Sequence, residues 1–327
     1  MSGHRPESSA LDAARAQGHK TSRLFGMPLH GTYSPYLHNT ITRSAGVDRK
    51  YTKMESLDMD AFLDYVRSEE CCGSAVTMPH KVAICRHLDD LTDEGRDIGA
   101  CNTIFIRRGP SGERLLVGHN TDSVGVRESL LRADDSHAKS GRTRPGAVLG
   151  AGGACRAAVY ALTKWLNCSP IYVVNRDDAE VATFIGDFQK GATAAFEPEL
   201  VHVKTVAEAE KLASPAYIVS AVPAFPPTTP EEKQARAVAQ TLLDKPEKGV
   251  ILEMCYHPDI WTETAQIAQD AGWKVVTGEQ AVIWQGIEQQ LLWLECTEED
   301  LPIADIVETV SKQMANDKAS GTEPPLE

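Results

Sequence analysis

A threonine and a lysine stand on either side of a break in an apolar stretch, VTMPHK, from Val76 to Lys81. Pro79 has no backbone donor and a fixed φ, so the strand that Val76 indicates must end before it. Lys81 is therefore expected just beyond the carboxyl end of a strand. A cation at that place can polarise a reacting group, or it can be a solvated lysine at the start of a helix. The choice depends on partners elsewhere in the chain.

A glycine-rich run, VLGAGGACRAA, indicates a second kind of chemistry. Gly150, Gly152 and Gly153 follow a strand pattern and precede a helical one, an arrangement in which helix amino-end amides receive a pyrophosphate. A lone GxG often only packs, but strand, GxGG and helix within an alternating run favour a nucleotide site. Cys155 stands at the third glycine of the usual fingerprint, where a small residue can still pack helix against strand.

The next strand pattern ends in VVNRDD, where dinucleotide folds meet the adenosine ribose. Asn175 and Arg176 are followed by Asp177, Asp178 and Glu180. A carboxylate accepts hydrogen bonds from a ribose 2′-hydroxyl, whereas three carboxylates would repel the 2′-phosphate of NADP. The pattern therefore predicts NAD as the cofactor. An acidic helix amino end that only favours its own dipole is the alternative.

The elements that must position these residues are short apolar runs alternating with helical patterns, which is typical of parallel α/β layers. GAVLGAGG, IYVVNR, YIVSAV, GVILEM and KVVTG predict a doubly wound sheet. Upstream, RLFGMP, KYTKME, GSAVTMP and NTIFIRR predict a separate mixed sheet, with helices such as SPYLHNTITRSAG between its strands. The fold class is therefore α/β with two domains, and the segment from Glu279 to about Lys312 is strongly helical.

Composition restricts the class of protein. A net charge of −13 without any long Lys/Arg block disfavours nucleic acid, and no apolar run approaches the roughly 20 residues that span a bilayer. The first residues lack the apolar core of a secretory signal, so a cytoplasmic location is expected. None of the eight cysteines forms a CxxC pair, which favours reduced thiols over zinc. Cys255 and His257 lie close together without a second pair, so no metal is predicted.

Several motifs occur in an order that resembles the shikimate/quinate dehydrogenase family: GMPLHGTYSPYLHN, VTMPHK, IGACNTI, GHNTDSVG, GAGGACRAA, VVNR and GEQAVIWQ. The resemblance extends from Phe25 to about Glu295, and EMCYHP and the chain length look most like the fungal quinate dehydrogenases. It implies a substrate domain of residues 21–125 and 282–315, an NAD-binding Rossmann-like domain of residues 126–281, and a cleft between them. Residues 1–20 and 316–327 are expected to be flexible tails.

The resemblance also implies roles for single residues. Lys81 matches the family's active-site lysine and Asp122 its paired aspartate. The expected substrate-binding residues are Thr32, Ser34, Thr77, Asn102 and Gln285. The expected cofactor-binding residues are Gly150, Gly152, Gly153, Ala154, Asn175, Arg176, Asp177, Val222 and Gly278. In GTYSP, Gly31 and Thr32 depart from the family's HSxSP, which leaves the exact substrate open.

Oxidation of a secondary alcohol removes a hydride from carbon and a proton from oxygen, and the protein must manage the proton. Lys81 and Asp122 can do this together, and which of them is the base stays open, because a lysine is ordinarily protonated at neutral pH. The expected activity is NAD-dependent oxidation of quinate to 3-dehydroquinate in quinate catabolism, by a monomer or homodimer, with shikimate as a second candidate substrate. An NADP-dependent shikimate dehydrogenase and a non-catalytic quinate-sensing module are the alternatives.

Overall fold

The computed structural model describes residues 10–190, 196–256 and 259–325, which form two compact units. The first contains the chain up to Asp90, Cys101–His119 and the chain from Gly286 onward. The second contains Leu91–Ala100 and Asn120–Gln285. Residues 91–100, 120–125 and 282–285 therefore group with the second unit, whereas the sequence assigned them to the substrate domain. The domain limits and their roles remain predictions.

The strands and helices have the following bounds. The strands are β1 Lys20–Gly26, β2 Arg49–Glu55, β3 Cys71–Val76, β4 Asp90–Leu91, β5 Thr103–Arg108, β6 Arg114–His119, β7 Arg144–Leu149, β8 Cys168–Val174, β9 Leu200–His202, β10 Tyr217–Ser220, β11 Val250–Glu253 and β12 Lys274–Thr277. The α-helices are α1 Ala10–Ala16, α2 Ser34–Ala45, α3 Met59–Arg67, α4 Asp93–Ile98, α5 Asp122–Ala133, α6 Ser136–Lys139, α7 Gly153–Lys164, α8 Asp178–Lys190, α9 Val206–Lys211, α10 Pro230–Leu243, α11 Glu263–Asp270, α12 Gly278–Leu294 and α13 Ile303–Ser320. Two 3₁₀ helices cover Ala83–His87 and Glu298–Asp300.

The sheet of the first unit is mixed, as the sequence predicted, with the strand order β2-β1-β3-β5-β6-β4. Strand β1 runs parallel to β2 and β3, whereas β5 is antiparallel to both β3 and β6. The sequence interpretation did not include β4 or β6. The carboxyl ends of β1 and β3 lie side by side, and each leads into a loop with candidate site residues.

The sheet of the second unit is parallel throughout, with the order β12-β11-β10-β7-β8-β9. This is the doubly wound dinucleotide-binding order, with its switch point between β7 and β10. Strand β9 is an addition to the predicted set. Along β7, Ala147 and Leu149 pack into one apolar cluster and Val148 into another, because helices cover both faces of the sheet. Burial of both faces explains why the run GAVLG shows no alternation of polar residues.

The second half of the helical C-terminal segment packs on the first unit. The Trp293 indole Nε1 donates a hydrogen bond to the Ile104 carbonyl oxygen at 2.9 Å, and the ring joins the apolar cluster of Tyr51 and Phe105. Gly73 permits this contact, because a Cβ at that residue would lie 2.2 Å from the indole ring. The boundary between the two units falls inside α12, between Gln285 and Gly286.

Two stretches that were expected in flexible tails are ordered as helices. Residues 10–16 form α1, which buries Leu11 and Ala14, two side chains at the i, i+3 spacing of one helix face. At the other end, α13 continues to Ser320 and ends at Gly321, whose φ of 66° is in the left-handed region. Both stretches are therefore helical in the structure, and the buried side chain of the second one is Asp317. The flexibility of the two tails remains a prediction.

No helix within the described residues is long and apolar enough to cross a membrane. Among these same residues, no group of three or more His, Cys, Asp or Glu side chains could hold a metal ion. His257, which the sequence pairs with Cys255, lies outside the described residues.

Candidate active site

The glycine turn between β7 and α7 contains glycines of two kinds. Gly150 has a φ of 112°, and a Cβ there would lie 3.1 Å from Cys155 Sγ, so the fold itself requires this glycine. Gly152 and Gly153 are different, because a Cβ on either would meet no atom within 4 Å. Packing does not require glycine at these two positions. Their absent side chains leave the backbone at the start of α7 open to a ligand.

The amino end of α7 has the character of an anion site. Gly152 is its N-cap residue, and Gly153 and Ala154 open a helix of 12 residues whose first amides have no intrahelical acceptor. Cys155 is fully buried, and its Sγ donates to the Leu149 carbonyl oxygen at 3.7 Å. It thus packs the helix against the strand. Burial raises the pKa of this thiol to about 12, so it stays protonated.

A cavity of about 560 Å³ opens beside this turn at the carboxyl edge of the parallel sheet. Its lining brings together five of the predicted cofactor residues, namely Gly150, Gly152, Asn175, Arg176 and Val222. Asp177 lines a neighbouring depression instead. The lining also includes apolar side chains such as Phe225 and Ile267, and a mostly apolar lining with a few polar groups is typical of ligand pockets.

The residues after β8 are held in place by hydrogen bonds among themselves. The Asn175 Nδ2 donates to Glu180 Oε2 at 2.7 Å, and its Oδ1 accepts from the Arg176 amide at 2.8 Å. Asp177 Oδ1 accepts from the amides of Ala179 and Glu180 at 2.8 and 3.1 Å, and so caps α8. The helix-end role considered for this acidic run is therefore present. A role of Asp177 toward a ribose remains a prediction.

Arg176 has a partner that the sequence did not suggest. Its guanidinium forms an ion pair with Glu232, the third residue of α10. The amides of Thr228 and Thr229 also donate to Glu232, and they lower its carboxyl pKa to about 2. The motif T-x-x-E reveals the helix cap, but nothing local indicates a partner 56 residues away. Arg176 thus lies in a more acidic environment than VVNRDD alone implies.

Gly278, the last predicted cofactor residue, begins α12. A Cβ at Gly278 would lie 2.3 Å from the Met254 carbonyl oxygen. The close approach of α12 to the end of β11 therefore accounts for this glycine, and its contact with a cofactor remains a prediction.

The loop after β3 carries Thr77 and Lys81, and it is anchored by backbone contacts to its neighbours. The Thr77 amide donates to the Phe25 carbonyl oxygen at 2.8 Å, and the Lys81 carbonyl oxygen accepts from the Cys101 amide at 2.7 Å. Gly26 makes room for the loop, because a Cβ there would lie 2.5 Å from the Met78 carbonyl oxygen. Lys81 is partly buried just after the break, where the sequence placed it.

The loop after β1 presents the two hydroxyls of GTYSP at the start of α2. Thr32 Oγ1 donates to Ser34 Oγ at 3.1 Å and accepts from the Ser34 amide at 3.2 Å. Gly31 has a φ of 64°, in the left-handed region. A histidine at this position, as in the family's HSxSP, would be strained on the present backbone. The departure from the motif therefore extends to the loop conformation.

Asn102 lies at the start of β5, almost fully buried. Its backbone pairs with the ends of strands β3 and β6. The Val76 amide donates to the Asn102 carbonyl oxygen, and the Asn102 amide donates to the His119 carbonyl oxygen. Thr103 Oγ1 donates to Asn102 Oδ1 at 2.7 Å and accepts from Gln289 Nε2 at 2.8 Å. This chain fixes the orientation of the Asn102 amide. Gln289 has a positioning role that the helical pattern WQGIEQQ does not distinguish from core packing.

Asp122 and Gln285 belong to the second unit and lie on α5 and α12, which pack closely together. The Asp122 amide, at the first residue of α5, donates to Asn120 Oδ1 at 3.1 Å. One turn later, a Cβ on Gly125 would lie 2.6 Å from the Ala281 carbonyl oxygen and 3.3 Å from Gln285 Cβ. Gly125 therefore permits α12 to approach α5 near Asp122. The candidate residues Thr32, Ser34, Thr77, Lys81 and Asn102 belong to the first unit.

Comparison with known proteins decides the family. Residues 24–104 match the model of the shikimate dehydrogenase substrate binding domain. The chain is 43% identical to the quinate dehydrogenase of Emericella nidulans over 284 residues, which cover 83% of this chain and 86% of that protein. The chain belongs to the shikimate/quinate dehydrogenase family.

Solved structures agree with this family and fold. The S. pombe structure of dehydroquinate dehydratase and shikimate dehydrogenase is similar with a TM-score of 0.74 and 29% identity, covering 92% of this chain and 56% of that one. The quinate dehydrogenase from Corynebacterium glutamicum in complex with NAD has a TM-score of 0.71 at 21% identity, covering 90% and 99%. At that identity the second likeness concerns the fold alone. Family membership confirms the resemblance that the sequence motifs indicated.

Proposed function

We propose that this chain is an NAD-dependent quinate dehydrogenase, which oxidises a ring secondary alcohol of quinate to the ketone of 3-dehydroquinate. The observation that carries the proposal is the 43% identity to a quinate dehydrogenase over most of both chains. Lys81 and Asp122, the residues that the family's chemistry would use, are both present. A module that only sensed quinate would need neither, so their presence disfavours that alternative.

The glycine turn fits a dinucleotide. Gly152 and Gly153 leave open space at the amino end of α7, where free amides and the helix dipole stabilise a pyrophosphate. The adjoining cavity of about 560 Å³ lies within the range of ligand pockets. When bound, the nicotinamide would supply the hydride acceptor. The chain itself would bind it, orient it and handle the proton.

Lys81 and Asp122 are proposed to manage the proton of the reacting hydroxyl. An ammonium group that donates to the hydroxyl oxygen stabilises the negative charge that develops as the proton leaves. A carboxylate can accept that proton or keep its partner charged. The two groups would act as a unit. An apparent pKa seen in the pH dependence of the rate would therefore belong to the pair and not to either residue.

The first unit offers hydroxyl and amide groups for the acid substrate. The hydroxyls of Thr32 and Ser34 are proposed to bind the carboxylate, which loses water on binding and needs replacement donors. Thr77, Asn102 and Gln285 would bind ring hydroxyls, since each can donate and accept. The chain Gln289–Thr103–Asn102 supports this, because an amide held in one orientation can discriminate a hydroxyl.

The choice of NAD over NADP rests on the charges after β8. Arg176 pairs with Glu232 and lines the same cavities as Asp177 and Glu180, so a 2′-phosphate bound there would have to approach these carboxylates. The ion pair with Glu232 offsets the positive charge of Arg176 that such a phosphate would need. A ribose 2′-hydroxyl carries no charge and would instead find acceptors.

The test is the absorbance of reduced nicotinamide with each acid and each cofactor. We expect the highest kcat/KM with quinate and NAD. A preference for shikimate would contradict the quinate assignment and leave the dehydrogenase assignment intact. No turnover with either acid, in folded protein that binds NAD, would favour the sensing module.

The setting of the protein is part of the proposal. All eight cysteines are free thiols, which supports a reducing compartment such as the cytoplasm. We propose a monomer or homodimer, which sedimentation at several concentrations would distinguish.

A further inference from the structure

Two thiols of the first unit lie in contact beside the Lys81 loop. Cys85 Sγ is 3.5 Å from Cys101 Sγ, although the residues are 16 positions apart in sequence. Cys85 belongs to the 3₁₀ helix Ala83–His87, and Cys101 immediately precedes Asn102. Both cysteines contact one acceptor, because the Cys101 amide donates to the Lys81 carbonyl oxygen at 2.7 Å and Cys85 Sγ donates to it at 3.5 Å.

The two thiols differ in reactivity. Cys85 is partly exposed, and its hydrogen-bond contact with Cys101 lowers the pKa of its thiol. Cys101 is fully buried, and this hydrogen bond together with burial raises its pKa. Cys296 is also partly exposed, but burial raises its pKa to about 11. Since the thiolate is the reactive form, Cys85 is the better nucleophile and Cys101 is placed to resolve it.

We propose that Cys85 and Cys101 form a peroxide-sensitive dithiol site, whose oxidation to a disulfide displaces the Lys81 loop and slows the dehydrogenase. This inference rests on the proposed function only for its activity readout. The ligand class is a small hydroperoxide, and the modification is reversible by a thiol reductant.

The chemistry balances in two steps. The Cys85 thiolate attacks one oxygen of hydrogen peroxide, the O–O bond breaks, and the departing hydroxide takes up a proton and leaves as water. Cys85 is then a sulfenic acid. The Cys101 sulfur attacks Cys85 Sγ, the S–S bond forms as the S–O bond breaks, and the Cys101 proton leaves with that oxygen as a second water. Two thiols lose two electrons in total, and the peroxide gains them.

Closing the bond would draw the two sulfur atoms together and pull on the segments that carry them. A disulfide requires a sulfur separation of about 2.05 Å, so the 3.5 Å gap must shorten by roughly 1.5 Å. Oxidation also removes the thiol hydrogen that Cys85 donates to the Lys81 carbonyl oxygen. A displacement of about 1 Å at a reacting group can cost up to 10²-fold in rate. We expect kcat/KM to fall at least about fivefold in the oxidised protein.

The experiment treats the whole chain with stoichiometric hydrogen peroxide and compares it with Cys85→Ser and with Cys296→Ser as the matched control. The expected result is a Cys85–Cys101 cross-linked peptide, a mass loss of two hydrogens, and slower turnover that dithiothreitol restores, in the wild type and in Cys296→Ser only. Because Cys101 is fully buried, Cys101→Ala serves as the second variant, and in it a sulfenic-acid probe should label Cys85.

Hydrogen exchange of the amides between Met78 and Cys85 gives a readout that does not depend on turnover. Faster exchange after oxidation is expected if the loop is displaced. Absence of the cross-linked peptide would overturn the proposal, and so would a cross-link that leaves both exchange and turnover unchanged. If the protein proved inactive with quinate, the cross-link and the exchange would still decide this inference.

Discussion

The glycine turn of the second unit and the Lys81 loop of the first unit use glycine for opposite purposes. At Gly152 a side chain would meet nothing, so glycine leaves room for something other than protein. At Gly26 a Cβ would lie 2.5 Å from the Met78 carbonyl oxygen and from Thr77 Cγ2, so glycine admits a neighbouring loop. The proposed nucleotide site is thus formed by local backbone, whereas the proposed substrate residues depend on contacts from distant parts of the chain.

The largest expected effect tests whether Lys81 and Asp122 act as one catalytic group. Lys81→Ala and Asp122→Asn should each lower kcat by about 10²- to 10⁴-fold, as is typical for groups that handle protons. The double variant should lose little more than the worse single variant, because residues that act as a unit are not additive. Stopped-flow or steady-state rates with quinate measure this.

Two controls accompany these variants. Lys312→Ala removes an exposed lysine from α13 and should leave kcat unchanged. NAD binding by Lys81→Ala, followed by calorimetry, should also be retained, because Lys81 is not part of the glycine turn. Near-normal turnover in folded Lys81→Ala would favour the solvated lysine instead.

The same contrast explains what sequence could predict. GAVLGAGGACRAA contains its strand, turn and helix start within one window, so both the fold and the proposed ligand follow from local spacing. The parallel sheet follows in the same way, since each strand is a short apolar run between turns. Strand β9, with Leu200–His202 only, was too short to stand out.

Contacts over long sequence separations were not predictable. Glu232 reaches Arg176 from α10, and Gln289 reaches Thr103 from α12, and neither pairing has a local signal. The left-handed φ of Gly31 was also not predictable, since a glycine in the sequence is compatible both with extra space for a ligand and with a turn of positive φ. In each case the information lies in the packing of separate elements, which one sequence does not record.

A second prediction compares one buried titratable group in each region. Burial lowers the pKa of His38 in α2 from 6.5 to about 3 and raises that of Glu253 at the end of β11 from 4.5 to about 7. The His38 contribution to the free energy of unfolding is complete above pH 6.5 and is lost as the pH falls toward about 3. The Glu253 contribution is complete below pH 4.5 and is lost as the pH rises through about 7.

Each contribution is on the order of a few kcal/mol, since one pKa unit corresponds to about 1.4 kcal/mol. Hydrogen exchange as a function of pH should show β11 more protected at low pH and α2 more protected at high pH. Glu253→Gln should flatten the first dependence and His38→Gln the second. A pH dependence that survives in its own variant would show that other groups cause it.

A third prediction replaces Gly152 and Gly26 with alanine and compares the effects on stability and on NAD binding. Gly152→Ala should lower the free energy of unfolding by no more than about 1 kcal/mol, because its φ is −80° and its Cβ meets open space, and alanine is only a poorer N-cap residue. It should nevertheless weaken NAD binding about tenfold or more. Gly26→Ala should destabilise the protein by about 1–3 kcal/mol, since its φ is 150° and the Thr77 loop must move.

Urea unfolding and NAD calorimetry on both variants measure these effects. Gly150→Ala is the internal comparison, because its φ of 112° predicts a loss of stability within the same turn. Unchanged NAD affinity in Gly152→Ala would mean that the open space does not receive the cofactor.

The smallest expected effect concerns the choice of cofactor. It tests the ion pair between Arg176 and Glu232, a contact between residues far apart in sequence at the proposed cofactor site. Glu232→Gln keeps an oxygen that can accept from the amides of Thr228 and Thr229, but it removes the charge that pairs with Arg176. We expect kcat/KM with NADP to rise about fivefold to tenfold while NAD changes less than about twofold, because a released guanidinium can bind a 2′-phosphate. Asp177→Ser should add to this rise, since serine still caps α8 without the negative charge.

Glu231→Gln is the matched control, because it removes the same charge from the neighbouring residue of α10. If the ion pair with Arg176 is the cause, this control should raise NADP use far less than Glu232→Gln does. An equal rise in both variants would point to the general field of the acidic surface, which added salt should then abolish. Equal kcat/KM for NAD and NADP in the unaltered protein would contradict the cofactor assignment itself, and the acidic run after β8 would then serve only to cap and orient α8.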